Sequence, residues 1–100
     1  MIIVVGRIEV ASPEDINRIE PALKARMART RQEPGNLEYS FSVEIGAPTV
    51  MHVIEKWESQ AALDVHLNVM DDEFSEAIAT AHAVSISLVA HTSSAEQNLF

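Results

Sequence analysis

The chain contains no cysteine. That absence removes a disulfide framework, a thiolate metal site and a cysteine nucleophile, and it accords with a cytoplasmic protein. Glycine is scarce, three in 100 residues, with no Gly-rich fingerprint of the kind that cradles a dinucleotide. Basic charge is also short. Seven Lys plus Arg stand against fifteen Asp plus Glu, a net charge of −8. A chain this negative repels phosphate backbones and anionic lipid, so neither nucleic acid nor membrane is expected as a partner. The strand aromatics flanked by basic residues that RNA-reading sheets use are missing too. No long hydrophobic run occurs: Met1-Ile2-Ile3-Val4-Val5 is ended by Gly6, Arg7 and Glu9. It is too short for a secretory leader, and nothing approaches the roughly 20 apolar residues of a membrane span. His52, His66, His82 and His91 lack metal-ligand spacing, so no metal is expected.

What is present reads as one globular domain with a modest core, spanning 1–92, followed by a polar tail over 93–100. Hydrophobic residues make up 47% and charged residues 22%. There is no repeat and no linker. The β-branched run through Val10 predicts a first strand over 1–10. Ser12-Pro13-Glu14-Asp15 is a helix start: Ser12 as N-cap accepting from an orphan amide, Pro13 at the first turn, two acids at the positive dipole end. Ile16, Ile19, Leu23 and Met27 then form one stripe, and Pro21 predicts a kink. Glu33-Pro34-Gly35-Asn36 stops the helix. Leu37 to Val43 alternates as a strand, Gly46-Ala47-Pro48 turns, and Thr49 to Glu58 returns as its hairpin partner. Ser59 caps a short helix to His66, a second helical piece begins near Asp71, and Val84 to Ala90 is the last strand. Strand, helix, strand, strand, broken helix, strand is the split βαβ of a ferredoxin-like α+β fold, an antiparallel four-stranded sheet with helices on one face.

Such a sheet should show one polar face. Here the first strand is apolar on both sides at Ile2-Ile3-Val4-Val5, and Val89 adds to the face opposite Val84, Ile86 and Leu88. Burying that spare surface is worth about 25 cal/mol for each Å², so a homodimer with sheets packed face to face is expected.

Glu33-Pro34-Gly35-Asn36-Leu37-Glu38-Tyr39, then Glu55-Lys56-Trp57-Glu58-Ser59, then Ala62-Leu63 with His66 resemble the antibiotic biosynthesis monooxygenase family, over about residues 1–92. The family pattern is a Glu-x-Gly turn leading to a Tyr, a Glu-x-Trp ending the hairpin, and an Ala-Leu-x-x-His helix. The resemblance implies a dimeric α+β barrel and a cofactor-independent monooxygenase acting on a small phenolic or quinol-like compound with dioxygen. Members also include haem degraders, isomerases and proteins without assigned activity. Two departures matter. Many members carry a second His about five residues after the first, followed by an aromatic; here the stretch is Met70-Asp71-Asp72-Glu73-Phe74. The helix His of the haem-degrading branch falls at Ile78, and its first-strand Asn has no counterpart near Gly6 and Arg7, which speaks against haem degradation.

Met51, Val53, Glu55 and Trp57 share one strand face. A carboxylate in that apolar row must be paired or hydrogen-bonded. Glu55 is read as a pocket acid or base, or as the orienter of His66, or alternatively as a structural carboxylate pinning helix to sheet. His66 is read as the general base, since imidazole titrates near neutrality, or as a helix-end residue bonded locally. Tyr39 and Trp57 are candidate substrate walls, with Phe41, Met51 and Phe74 as further candidates better explained as core. Arg7 is a candidate for neutralising an anionic substrate or for pairing with an acid. No cofactor is expected. The leading expectation is the cofactor-free monooxygenase; the alternatives are a non-catalytic dimer that binds a small molecule, or a non-oxidative isomerase on the same scaffold.

Overall fold

The crowded β-branched residues of the first ten positions form β1 (Ile2–Val10), one of the two inner strands of a sheet ordered β2-β3-β1-β4. The computed structural model describes all residues, 1–100. After β1 come α1 (Pro13–Thr30), β2 (Asn36–Glu44), β3 (Ala47–Trp57), α2 (Gln60–Leu67), α3 (Asp72–Ala79) and β4 (Ala83–Thr92). All pairings are antiparallel, and the register sets Val4 between Glu55 and Ala90, and Tyr39 opposite Glu55. This is the ferredoxin-like α+β fold, with three helices on one sheet face. No helix is long and apolar enough to cross a membrane.

Strand alternation assigns the faces. Ile2, Val4, Ile8 and Val10 of β1 point to the helices and are buried, whereas Val5 and Arg7 point away and are exposed. Ile16, Ile19, Ala22 and Leu23 of α1 pack with Ile8, Val10 and Met51. A second cluster gathers Ile2, Val4, Tyr39, Val53, Trp57 and Leu63. Each fully buried side chain of this size contributes about 1.5–3 kcal/mol. Helix α1 continues through Pro21, which is exposed.

One local signal differs from expectation. The β2–β3 turn is Ile45-Gly46, with Gly46 at φ +85°. Pairing therefore resumes at Ala47, and Pro48 falls inside β3, beyond the stretch that β1 pairs, where its missing donor is tolerated. At the start of α1, Ser12 is the N-cap: its carbonyl accepts from Asp15 N–H (3.1 Å), and the Asp15 carboxylate reaches back to accept from Ser12 N–H (3.0 Å) and Ser12 Oγ (3.2 Å). The sheet edge also differs from a finished core. Every residue of β4 is exposed, because the helical layer stops short of the strand that carries Val84, Ile86 and Leu88.

Two positions are unusually tight. Gly6 faces the helices, and a Cβ there would lie 2.5 Å from Val53 Cγ1 and 2.7 Å from Leu88 Cδ1. Asp15 is buried and receives Arg18 Nη2 (2.9 Å) and His82 Nδ1 (2.8 Å), tying α1 to the α3–β4 connection. His82 sits there at φ 54°.

The Arg18 guanidinium, against the opposing effect of burial and with help from His82 and Ser12, lowers the Asp15 carboxyl from 3.8 to about 2. A depressed acid stabilises the fold above its unfolded value and loses that contribution as pH falls through the folded one. Asp15→Asn is therefore expected to be less stable than the parent above about pH 4, and the gap should close by about pH 2. Urea melts across that range check it; a gap independent of pH would refute the linkage.

Candidate functional site

Four of the sequence candidates meet on the helix face of the sheet. Tyr39 from β2, Glu55 and Trp57 from β3 and His66 from α2 are all buried. Parity along β3 puts Glu55 and Trp57 on one side, and Ser59 fixes where α2 begins by accepting from Ala62 N–H (3.2 Å). One turn later His66 comes down on the sheet. Its ring lies 4.7 Å from that of Trp57 and 5.6 Å from that of Tyr39.

The expected pairing of Glu55 with His66 is not a hydrogen bond: Oε1 and Nε2 are 3.9 Å apart. Glu55 Oε1 accepts from Trp57 Nε1–H at 3.0 Å instead, because residues two apart on a strand face are neighbours. The carboxylate that holds His66 is Glu33, from the turn after α1, at 2.9 Å from Nδ1. Arg26 Nη2 sits 3.2 Å from Nε2. A guanidinium offers donors and no acceptor, so this contact assigns Nε2 as the acceptor and Nδ1–H as the donor to Glu33. Both ring nitrogens of His66 are thereby engaged.

Arg26, Glu33 and Asp71 are the members that sequence reasoning missed. Arg26 also donates through Nε to Tyr39 Oη (3.1 Å) and through Nη1 to Asp71 (3.4 Å), while its Cζ lies 4.3 Å from the Phe74 ring centroid. Asp71 caps α3 by accepting from Phe74 N–H and receives Arg29 Nη1 at 2.7 Å. It occupies the position five residues after His66. Although burial pushes Asp71 up, the Phe74 amide and the two guanidiniums hold it below the usual carboxylate range. Burial raises the Tyr39 phenol above its ordinary value, against the pull of Arg26. Glu33 stood in the quoted turn motif, and that was the only available signal; Arg26 and Asp71 had none of their own.

Of the remaining candidates, Phe41 and Phe74 border the cluster and the other two lie away from it. Phe41 packs edge-on against Tyr39 (5.5 Å) and beside Phe74 (6.0 Å). Met51 is core near the middle of β3. Arg7 shares parity with Val5 and so points from the opposite face of the sheet, where it pairs with an acid, Glu9, at 3.5 Å.

Access to the cluster is through Glu55. Its carboxylate borders a cleft of about 200 Å³ whose other walls are Val4, Leu63, Leu67, Leu88 and Ala90. Oε2 takes no hydrogen bond within the protein. The arrangement is an apolar slot with one carboxylate, and it is suited to accept a proton or hydrogen bond from a bound molecule.

Arg26→Met removes a largely buried cation and takes one donor each from Asp71, His66 and Tyr39. It is expected to destabilise the fold by about 3 kcal/mol, as when one partner of a buried ion pair is deleted. Glu33→Gln keeps a hydrogen-bonding group and should cost less, about 1 kcal/mol. Denaturant melts of both variants check the order; a smaller loss for Arg26→Met would deny its central role.

The comparisons with known proteins agree with this fold. The chain covers 100% of itself and 99% of a Deinococcus radiodurans structure named as a candidate antibiotic biosynthesis monooxygenase, with TM-score 0.85 and 22% identity. A crystal structure named antibiotic biosynthesis monooxygenase aligns over 93% of this chain and 98% of its own, with TM-score 0.75 and 28% identity. A Bacteroides thetaiotaomicron protein of unknown function, described as a possible oxidoreductase, aligns over 90% and 94% with TM-score 0.74 and 17% identity. No curated protein matches. The family model described as antibiotic biosynthesis monooxygenase matches residues 1–80, and on that match the chain belongs to the antibiotic biosynthesis monooxygenase family.

Proposed function

We propose that the protein is a cofactor-independent monooxygenase that converts a small phenol, unsubstituted at its para carbon, to a quinone. The observation that carries this reading is the apolar cleft with one carboxylate in its wall, Glu55, fixed by the Trp57 indole. Relative to the sequence expectation the roles exchange. Glu55 meets the substrate as the base, and His66, which does not border this cleft and has both nitrogens engaged, is a positioning residue. Trp57 and Tyr39 act from behind the cleft wall.

The chemistry balances without further co-reactants. Glu55 Oε2 takes the phenolic proton, and apolar walls favour delocalisation of the charge into the ring over solvation at oxygen. The phenolate passes one electron to dioxygen, and the resulting pair joins at the para carbon as a peroxide, which takes the proton back. Loss of the para C–H proton then breaks the O–O bond and expels hydroxide, which leaves with that proton as water. Phenol plus dioxygen gives quinone plus water. The substrate loses four electrons and dioxygen gains four.

The homodimer belongs to the same proposal. The sheet face away from the helices exposes Val5 (46%), Ile54 (37%) and Val89 (48%) at the centre of three adjacent strands, β1, β3 and β4. A second copy packed there by two-fold symmetry covers them.

A binding module without turnover is favoured by one observation: no imidazole borders the cleft, which holds Glu55 as its single acid–base group. Oxygen uptake with a panel of phenols and hydroquinones separates the two. The expected result is one dioxygen consumed for each quinone formed, with Glu55→Gln lowering kcat about 100-fold or more and His66→Ala lowering it less. Ligand retention with no uptake across the panel would establish the binding module instead. Light scattering should give twice the monomer mass of 11.0 kDa; a monomer at working concentration would remove the dimer from the proposal.

A further inference from the structure

A second concavity lies at the other end of the helix face, between α1 and the edge strand β2. Its volume is about 190 Å³, and its apolar walls are Ile16, Leu23, Met27, Phe41, Val43 and Met51. It is separate from the Glu55 cleft, with which it shares no residue. Met51 and Glu55 are four residues apart on β3, about 13 Å at the usual strand rise.

The gap has a sequence origin. The apolar stripe of α1 runs Ile16, Ile19, Leu23, Met27, and the position one turn beyond Ile16 that would fill the space over Val43 is Glu20. Glu20 turns outward to Lys24 at 3.7 Å, both side chains being mostly exposed. Met27, the side chain most able to swing into the space, is tethered, because its Sδ accepts from Phe41 N–H at 3.4 Å. The space is therefore preformed.

The lining defines what fits. An apolar cavity of about 150 Å³ suffices for benzene, so this one holds a single substituted ring. Methionine sulfurs and a phenyl ring are polarizable partners for an aromatic face. At the mouth stand Asn17 and Ser42, which are neutral, and Glu20 and Lys24, which neutralise each other. A charged ligand end would have to compete with that pair, whereas an uncharged acceptor can use the Asn17 amide.

We infer that the α1–β2 groove is a second binding site, independent of the Glu55 cleft, for an uncharged, one-ring apolar molecule with a single hydrogen-bond acceptor. The test uses the full chain with 13C-methyl-labelled methionine and 4-methylanisole as probe. This ether has no acidic proton, so the proposed phenol chemistry cannot consume it. The methyl signals of Met27 and Met51 are expected to shift saturably, and that of Met70, exposed after α2, to stay. Val43→Trp, at a half-exposed position of an edge strand, should fill the groove and weaken binding about tenfold or more. Leu88→Trp fills the Glu55 cleft and should leave the shifts intact. Asn17→Trp, on the helix side of the mouth, replaces Val43→Trp should that variant lose the parent spectrum. Absence of saturable shifts, or shifts abolished by Leu88→Trp and untouched by the groove variants, would overturn the site. Neither result bears on oxygen uptake, so this inference and the proposed activity fail separately.

Discussion

A guanidinium placed among apolar side chains must find acceptors or destabilise the fold, and Arg26 meets that demand by engaging every layer around it. One planar group donates to Tyr39 on β2, His66 on α2 and Asp71 at the head of α3, and its flat side lies on Phe74. The elements could pack on hydrophobic contacts alone, yet such contacts tolerate sliding. Hydrogen bonds from a rigid fork do not. The position of α2 and α3 over the sheet, the ring orientation of His66 and the direction of the Tyr39 hydroxyl thus share one determinant on α1.

The same determinant reaches the cleft through His66. Glu33 and Arg26 hold the imidazole from its two nitrogens, and the ring then backs the Trp57 indole at 4.7 Å. Trp57 in turn holds one oxygen of Glu55. The carboxylate that faces the apolar slot is the last link of a chain that begins with a charge on another helix. Whatever the slot binds, the direction in which its one polar group points is fixed before the ligand arrives, so little ordering remains to oppose binding.

Much of this fold was legible in the sequence because its signals are local. Alternation from Leu37 to Val43, the Ser12-Pro13 helix start and the break near Asp71 each lie within a few residues, and each corresponds to an observed element. The turn moved to Ile45-Gly46 because the positive φ of Gly46 closes a tighter hairpin than Gly-Ala-Pro suggests. The site was legible in part. Tyr39, Glu55, Trp57 and His66 came from motif spacing. Glu33 and Arg26 meet His66 across 33 and 40 residues, and Asp71 meets Arg26 across 45. Such encounters depend on which turn of α1 faces the sheet and where α2 lands, and no short pattern encodes both. Arg7 differs: counting parity from Val5 places it on the outer face without any coordinates.

Gly6 has a bearing on how the chain can diversify. The two side chains that crowd it, Val53 and Leu88, come from the strands on either side, and Leu88 is also a wall of the Glu55 cleft. With hydrogen in place of a methyl group, two strands' side chains close over the first strand like a seam. Any larger residue there unpicks the seam and pushes Leu88 toward the slot. The breadth of what the slot admits is therefore tuned from a residue that does not border it, by changes of one or two carbon atoms, with the acid and its supports left in place.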